Sequence, residues 1–140
     1  MKALFVFSMC LSLTGCAQKQ KPESITKQQY PKTHMMNLSI ITNVEVRKAI
    51  EALQSGDQNW YLYFTDNPEM TDDGHKVDFK SFFKKALGNE KFLSIDRVED
   101  DGKTLYGNFK AGQWGTFRVF FKFHQNTAGK FERLDIGQAN

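Results

Sequence analysis

The stretch 43-NVEVRKAIEALQSGDQNWYLYFTD-66 carries the first strong periodicity in the chain. Val46, Ala49, Ile50 and Leu53 recur at spacings of three, one and three, which puts them on one face of a helix. Asn43 stands ahead of them as an N-cap, and Gly56 supplies the left-handed residue that ends a helix. Asp57 then caps a second helix bearing Trp60, Tyr61, Tyr63 and Phe64. That helix stops before Asn67-Pro68, because the residue ahead of a proline is pushed out of the helical region. Two short helices are therefore expected to meet at Ser55-Gly56-Asp57.

Outward from this stretch, Pro68 to Lys76 is rich in turn formers. Asp78 caps a third expected helix, with Phe79, Phe82, Phe83, Ala86 and Leu87 at i, i+3, i+4, i+7 and i+8, and Gly88-Asn89 closes it. Beyond Glu90 the apolar period becomes two. Phe92 to Val98 and Thr104 to Lys110 flank the turn Glu99-Asp100-Asp101-Gly102, and Gly115 to Gln125 and Lys130 to Ile136 flank Asn126-Thr127-Ala128-Gly129, giving two hairpins. Helices first and an antiparallel sheet after them is the α+β arrangement.

The run Ala49 to Asp57, the aromatic segment ending Phe64-Thr65-Asp66, and Asp73-Gly74 resemble the opening of the nuclear transport factor 2-like (SnoaL-like) superfamily. Thr116 to His124, Gly129-Lys130 and Phe131-Glu132-Arg133-Leu134-Asp135-Ile136 resemble its paired final strands. The resemblance implies a cone-shaped domain over residues 37–140, with three N-terminal helices packed on a curved antiparallel sheet around an apolar cavity. The superfamily includes isomerases, dehydratases and cyclases beside proteins without a known reaction, so residues in the cavity must decide function. In its ketosteroid isomerase branch a tyrosine and a protonated aspartate form an oxyanion hole while a second carboxylate shuttles a proton. Those two donor positions fall here on Ala49 and Phe121, which donate nothing, and the shuttling carboxylate falls near Asp72. A non-catalytic binding domain is the expectation, with a small lyase or isomerase using Asp72 as base as the alternative.

If Phe121 faces the cavity, alternation along the strand sends Phe117, Val119 and Phe123 the same way. With Phe64 and Phe83 from the helices, and with Tyr61 and Asp72 as polar groups at the mouth, these residues make up the expected pocket for an apolar small molecule. Dense packing by the same phenylalanines would instead fill the space. Arg118, Phe120, Lys122 and His124 fall on the opposite face, joined by Trp114 if no bulge intervenes. An aromatic patch rimmed by charge suits a protein partner or a homodimer through the outer sheet face.

The amino end, MKALFVFSMCLSLTGC, has a short basic start, an apolar stretch from Ala3 to Leu13, and small residues before Cys16. This is the export-signal order, and the apolar stretch is too short to span a bilayer as a finished helix. Leu13-Thr14-Gly15-Cys16 resembles the bacterial lipobox, which implies removal of residues 1–15 and acylation of Cys16. Each buried methylene adds about 0.8 kcal/mol, so several acyl chains hold a protein firmly to a bilayer. Ala17, where lipoproteins retained at the inner membrane usually carry Asp, implies sorting to the outer membrane, facing the periplasm. Residues 16–36, rich in Gln, Lys, Pro and Thr, read as a lipidated cysteine and its solvated tether.

Losing Cys10 with the signal and acylating Cys16 leaves no thiol for a disulfide, a metal or catalysis. The whole chain carries a net charge of +3 with its basic residues scattered, which does not point to nucleic acid. His34, His75 and His124 have none of the metal-ligand spacings, and no phosphate loop, dinucleotide fingerprint or nucleophile elbow is present. No cofactor and no metal is expected.

Overall fold

The computed structural model describes residues 36–140; the signal, Cys16, His34 and nearly all of the tether lie outside them. Helix α1 runs Val44–Ser55. The Asn43 side chain accepts a hydrogen bond from the Val46 amide at 3.0 Å, and Gly56, at φ 68°, ends the helix by donating its N–H to the carbonyls of Ala52 and Leu53. Helix α2, Phe79–Ala86, is capped in the same way by Asp78. The two helices end side by side: a Cβ on Gly56 would stand 2.8 Å from the Gly88 Cα, so glycine is required there by space as well as by φ.

The expected second helix is a 3-10 helix, Gln58–Tyr63, capped by Asp57. Phe64 does not close it. It opens strand β1, Phe64–Asp72, which absorbs most of the segment read from sequence as turns. Among the described residues, then, two α-helices and this 3-10 segment take the place of three helices. Pro68 halts helix and does not exclude strand, because it falls in the interval Phe64 to Glu69 where the register with the neighbouring strand shifts. There the missing N–H leaves no ladder bond broken.

The sheet has the order β2-β1-β6-β5-β4-β3, with β2 His75–Lys76, β3 Lys91–Glu99, β4 Thr104–Lys110, β5 Thr116–Gln125 and β6 Phe131–Gln138. The β3–β4 and β5–β6 hairpins lie where their turn residues place them. β1 pairs with β6 in parallel, Met70 opposite Leu134 and Asp72 opposite Ile136, so the sheet is mixed rather than antiparallel throughout. This parallel pair joins residues more than sixty positions apart, and no local pattern announces it.

The core lies between the helices and one face of the sheet. Val46, Ala49, Ile50 and Leu53 of α1, Trp60, and Phe79 and Phe83 of α2 are buried in one cluster with Met70, Leu105, Phe121, Phe123, Phe131 and Leu134 of the strands. On the other face the side chains pair along the sheet surface. Arg118 makes a bidentate contact with Asp96 at 2.7 and 2.8 Å, and the Arg97 guanidinium stacks 3.8 Å above the Tyr106 ring. Asp135 accepts from Thr71 at 2.7 Å and from Arg133 at 2.9 Å, and sits 2.7 Å from His124.

Candidate functional site

The inner face of the sheet has one end filled and one end open. At the filled end Trp60 lies 4.8 Å from Phe64 and 4.7 Å from Phe83, ring centre to ring centre; Phe64 and Phe79 are 4.5 Å apart, and Phe123 and Phe131 are 4.9 Å apart. These distances are normal for interlocked rings, and they leave no room for a ligand. At the open end Phe92, Phe109 and Phe121 form a smaller cluster at 4.8 to 5.2 Å. Beside it opens a cavity of about 320 Å³.

Its apolar walls are Phe109 of β4, Phe117, Val119 and Phe121 of β5, Ile136 of β6 and Phe82 of α2. Its polar groups come from Asp72 at the end of β1, Asp73, Glu90 between α2 and β3, and Gln138. Trp114 stands at the rim, 75 % exposed, on a short 3-10 turn Gly112–Trp114. That turn joins β4 to β5 between two glycines of positive φ, Gly112 at 53° and Gly115 at 107°. It breaks the strand alternation, so Trp114 faces the cavity and not the outer sheet face on which simple parity would set it. A second recess, about 330 Å³, shares Phe82, Glu90 and Trp114 with the first.

Asp72, Phe117, Val119 and Phe121, four of the residues expected in a pocket, come together in this cavity. Phe64, Phe83 and Phe123 belong to the filled end, and Tyr61 packs edge-on against Phe79 at 6.0 Å rather than joining the cavity lining. The difference has a physical cause. The sequence places Phe64 and Phe83 on inward faces correctly, but inward includes both ends, and Trp60 occupies the space between them.

Glu90, Phe82 and Trp114 are among the lining residues outside the expected pocket, as are Phe109 and Ile136. Glu90 sits in the connection after the helix stop Gly88-Asn89, where an acid reads as solvated. In the fold its backbone N–H is tied to the Ala86 carbonyl at 2.8 Å, and its carboxylate lies near Gly112, 3.8 Å from where a Cβ would stand. Only the loop that carries Trp114 across the cavity mouth brings Glu90 indoors.

The two carboxylates are electrostatically strained. Burial pushes the Asp72 carboxyl above the ordinary range, the Asp73 charge adds to the push, and His75, paired with Asp72 across β1 and β2, opposes it. Burial likewise raises Glu90, and the charge it feels is that of Asp72. Among the described residues no hydrogen bond to either carboxylate offsets these effects. Asp73, by contrast, is engaged, accepting from the Gln138 amide at 2.7 Å. The cavity thus offers apolar contact surface and two carboxylates that have no hydrogen-bond partner among the described residues.

Solved structures share this architecture. A SnoaL-like protein of unknown function from Burkholderia thailandensis superposes with a TM-score of 0.53 at 12% identity, over 71% of this chain and 98% of the other. The fold is the SnoaL-like one. A Silicibacter pomeroyi protein described as having a cystatin-like fold matches at 0.55 and 9% identity, over 71% of this chain and 77% of its own. The Anabaena orange carotenoid protein, solved binding canthaxanthin, matches at 0.54 and 19% identity over 69% of this chain, which spans about a third of that protein (35%). No family model matches the sequence, and no curated protein does. At such identities the SnoaL-like fold is shared and chemistry is not thereby transferred.

Proposed function

We propose that this chain is a membrane-anchored envelope lipoprotein whose SnoaL-like domain binds an apolar small molecule without chemical change. The observation that carries the binding reading is the cavity of about 320 Å³ beside Phe109 and Phe121. Ligand sites are commonly apolar hollows of about 300–1,000 Å³ with a few placed polar groups, and this one has that make-up. A carotenoid-binding protein with a domain of the same fold is a further support. The positions that would form an isomerase oxyanion hole are Ala49, fully buried, and Phe121, a wall of the cavity. The outer sheet face, proposed as a partner or homodimer surface, has much of its charge already paired within the sheet, and the cavity is the stronger candidate.

The anchor rests on Leu13-Thr14-Gly15-Cys16 and sets the place of action at the outer membrane, facing the periplasm. Among the described residues no helix is long and apolar enough to cross a membrane. Expression of the full chain in a Gram-negative host with an alkyne fatty acid is expected to label the protein and send it to the outer-membrane fraction. Cys16→Ser should abolish both, and labelling that survived the substitution would refute the anchor. For the cavity, titration of the full chain with canthaxanthin and with the uncharged probe N-phenyl-1-naphthylamine is expected to perturb Trp114 fluorescence. Failure of a broad panel of apolar probes, these included, to bind would refute the reading.

A second reading has one observation in its favour: Asp72 is a half-buried carboxylate, held above its usual range, in an open cavity, as a general base requires. Acting so, it would take an α-proton from an enolisable ketone and return a deuteron in heavy water. Exchange into phenyl-substituted ketones, lost in Asp72→Asn, is the result that reading requires.

A further inference from the structure

The cavity's charge does not suit a purely apolar guest. Its acidic lining residues are Asp72, Asp73 and Glu90, and among the described residues no Lys, Arg or His shares the lining. Asp73 is held by the Gln138 backbone amide; among the described residues Asp72 and Glu90 have no hydrogen-bond partner, and Glu90 stands in the field of Asp72. A neutral hydrophobic ligand closing this mouth would strip water from two carboxylates and supply nothing in return, which is the costly way to bury charge. An anion would be repelled outright.

We propose that the ligand is an organic cation, with an ammonium-type head set between Asp72 and Glu90 and an apolar or aromatic body lying against Phe117, Val119 and Phe121 beneath Trp114. This rests on the reading of the cavity as a binding site. Three features converge on that class. The unpartnered carboxylates supply the countercharge. The exposed faces of Trp114 and Phe117, 75 % and 36 % exposed, supply the surfaces over which cations settle. Apart from Asp73 and Gln138, the remaining side chains of the walls are aliphatic or aromatic, which suits a body of low polarity. A metal ion fits poorly, because among the described residues no three His, Cys, Asp or Glu side chains converge as a coordination shell needs. Lys85 lines the neighbouring recess and not this cavity.

The test uses three probes of one shape, 3-phenylpropylammonium, 3-phenylpropanol and 3-phenylpropionate, titrated into the full-length protein by calorimetry and by tryptophan fluorescence. The ammonium is expected to bind at least tenfold more tightly than the alcohol, equivalent to about 1.4 kcal/mol, and the carboxylate not to bind detectably. The tenfold preference should fall to near unity in Asp72→Asn/Glu90→Gln and weaken with added salt. It should also fade on acidification, beginning above the ordinary carboxylate range, as Asp72, which faces Asp73 and His75, and Glu90 take up protons. Equal or tighter binding of the alcohol would overturn the cation assignment and leave the binding site standing. Binding of none of the three would overturn both. A preference unchanged in the double variant would place the cation elsewhere and refute the site, and circular dichroism of that variant confirms that it is folded.

Discussion

The two ends of the sheet's inner face use the same residue type to opposite effect. Around Trp60, the rings of Phe64, Phe79, Phe83, Phe123 and Phe131 interlock, brought together by the 3-10 segment and α2. Around Phe121, the rings of Phe92 and Phe109 stop short, and the next layer is a cavity edged by Asp72, Glu90 and Trp114. Phenylalanine content therefore says little about where a pocket lies. What differs is the cover: a buried tryptophan over one end, and a glycine-bounded turn with an exposed tryptophan over the other. The packing that stabilises the domain resides in the first end and the proposed binding site in the second, in keeping with the usual separation of rigid core and functional site.

That separation breaks most visibly by truncation. Phe83→Ala, at a fully buried side chain, is expected to cost about 3–5 kcal/mol through lost burial and a residual void. Phe117→Ala, at a residue about one-third exposed, should cost about 1 kcal/mol or less and act instead on ligand binding. Urea denaturation of both variants measures the contrast; similar losses would mean that the two ends form one packing unit. Trp60 sharpens it further. Its indole N–H is buried without a hydrogen-bond partner among the described residues, a burden of about 1–3 kcal/mol. Trp60→Phe removes that donor and keeps one ring, so it should cost less than half of what Trp60→Ala costs.

Much of this fold can be read in the sequence because its signals are local. The caps Asn43, Asp57 and Asp78 each accept the expected backbone hydrogen bond, and the hairpins turn where expected, at Asp100-Asp101-Gly102 and at Asn126 to Gly129. β1 is the exception. Its partner is β6, far along the chain; its centre is Pro68, and its only fully inward apolar side chains are Phe64 and Met70, too few to show an alternation. The site was legible to the same extent. Alternation along β5 places Phe117, Val119 and Phe121 together, and the resemblance brings in Asp72. Glu90 and Trp114 reach the cavity only through loop geometry, one after a helix stop and the other on a turn that resets strand parity, and a period of two or 3.6 carries no information about either.

The sheet's outer face offers a control of opposite electrostatic sign. Burial alone would raise the Asp135 carboxyl, but hydrogen bonds from Thr71, Arg133 and His124 outweigh it and hold the group below the ordinary range. A carboxyl depressed in the folded state stabilises it above the unfolded-state value, and that contribution is lost as pH falls through the folded-state value. Asp135→Asn is therefore expected to cost about 1–3 kcal/mol at pH 7, the range for hydrogen bonds to a charged group. The deficit should shrink in thermal melts taken at progressively lower pH. A deficit independent of pH would show that the network acts by shape and not by charge.

The smallest effect runs the other way. Asp72 and Glu90 have raised carboxyls in the folded state, so their ionised forms destabilise it at neutral pH, and wild type recovers that loss as pH falls through the folded-state values towards the unfolded ones. Both groups are half-exposed and water screens them, so Asp72→Asn and Glu90→Gln should each stabilise the unliganded protein only modestly. A gain of about 0.5 kcal/mol, the usual limit outside a core, corresponds to a rise in Tm of about 2–4 °C in a domain of roughly this size. The gain should vanish on acidification, where Asp135→Asn also converges on wild type but from below. Because Glu90 is raised partly by the Asp72 charge, the two gains together should fall short of their sum, and a double-mutant cycle reads that coupling directly. Strictly additive gains would show that Asp72 and Glu90 do not share one field, and a ligand's cationic head would then have only one of them to answer.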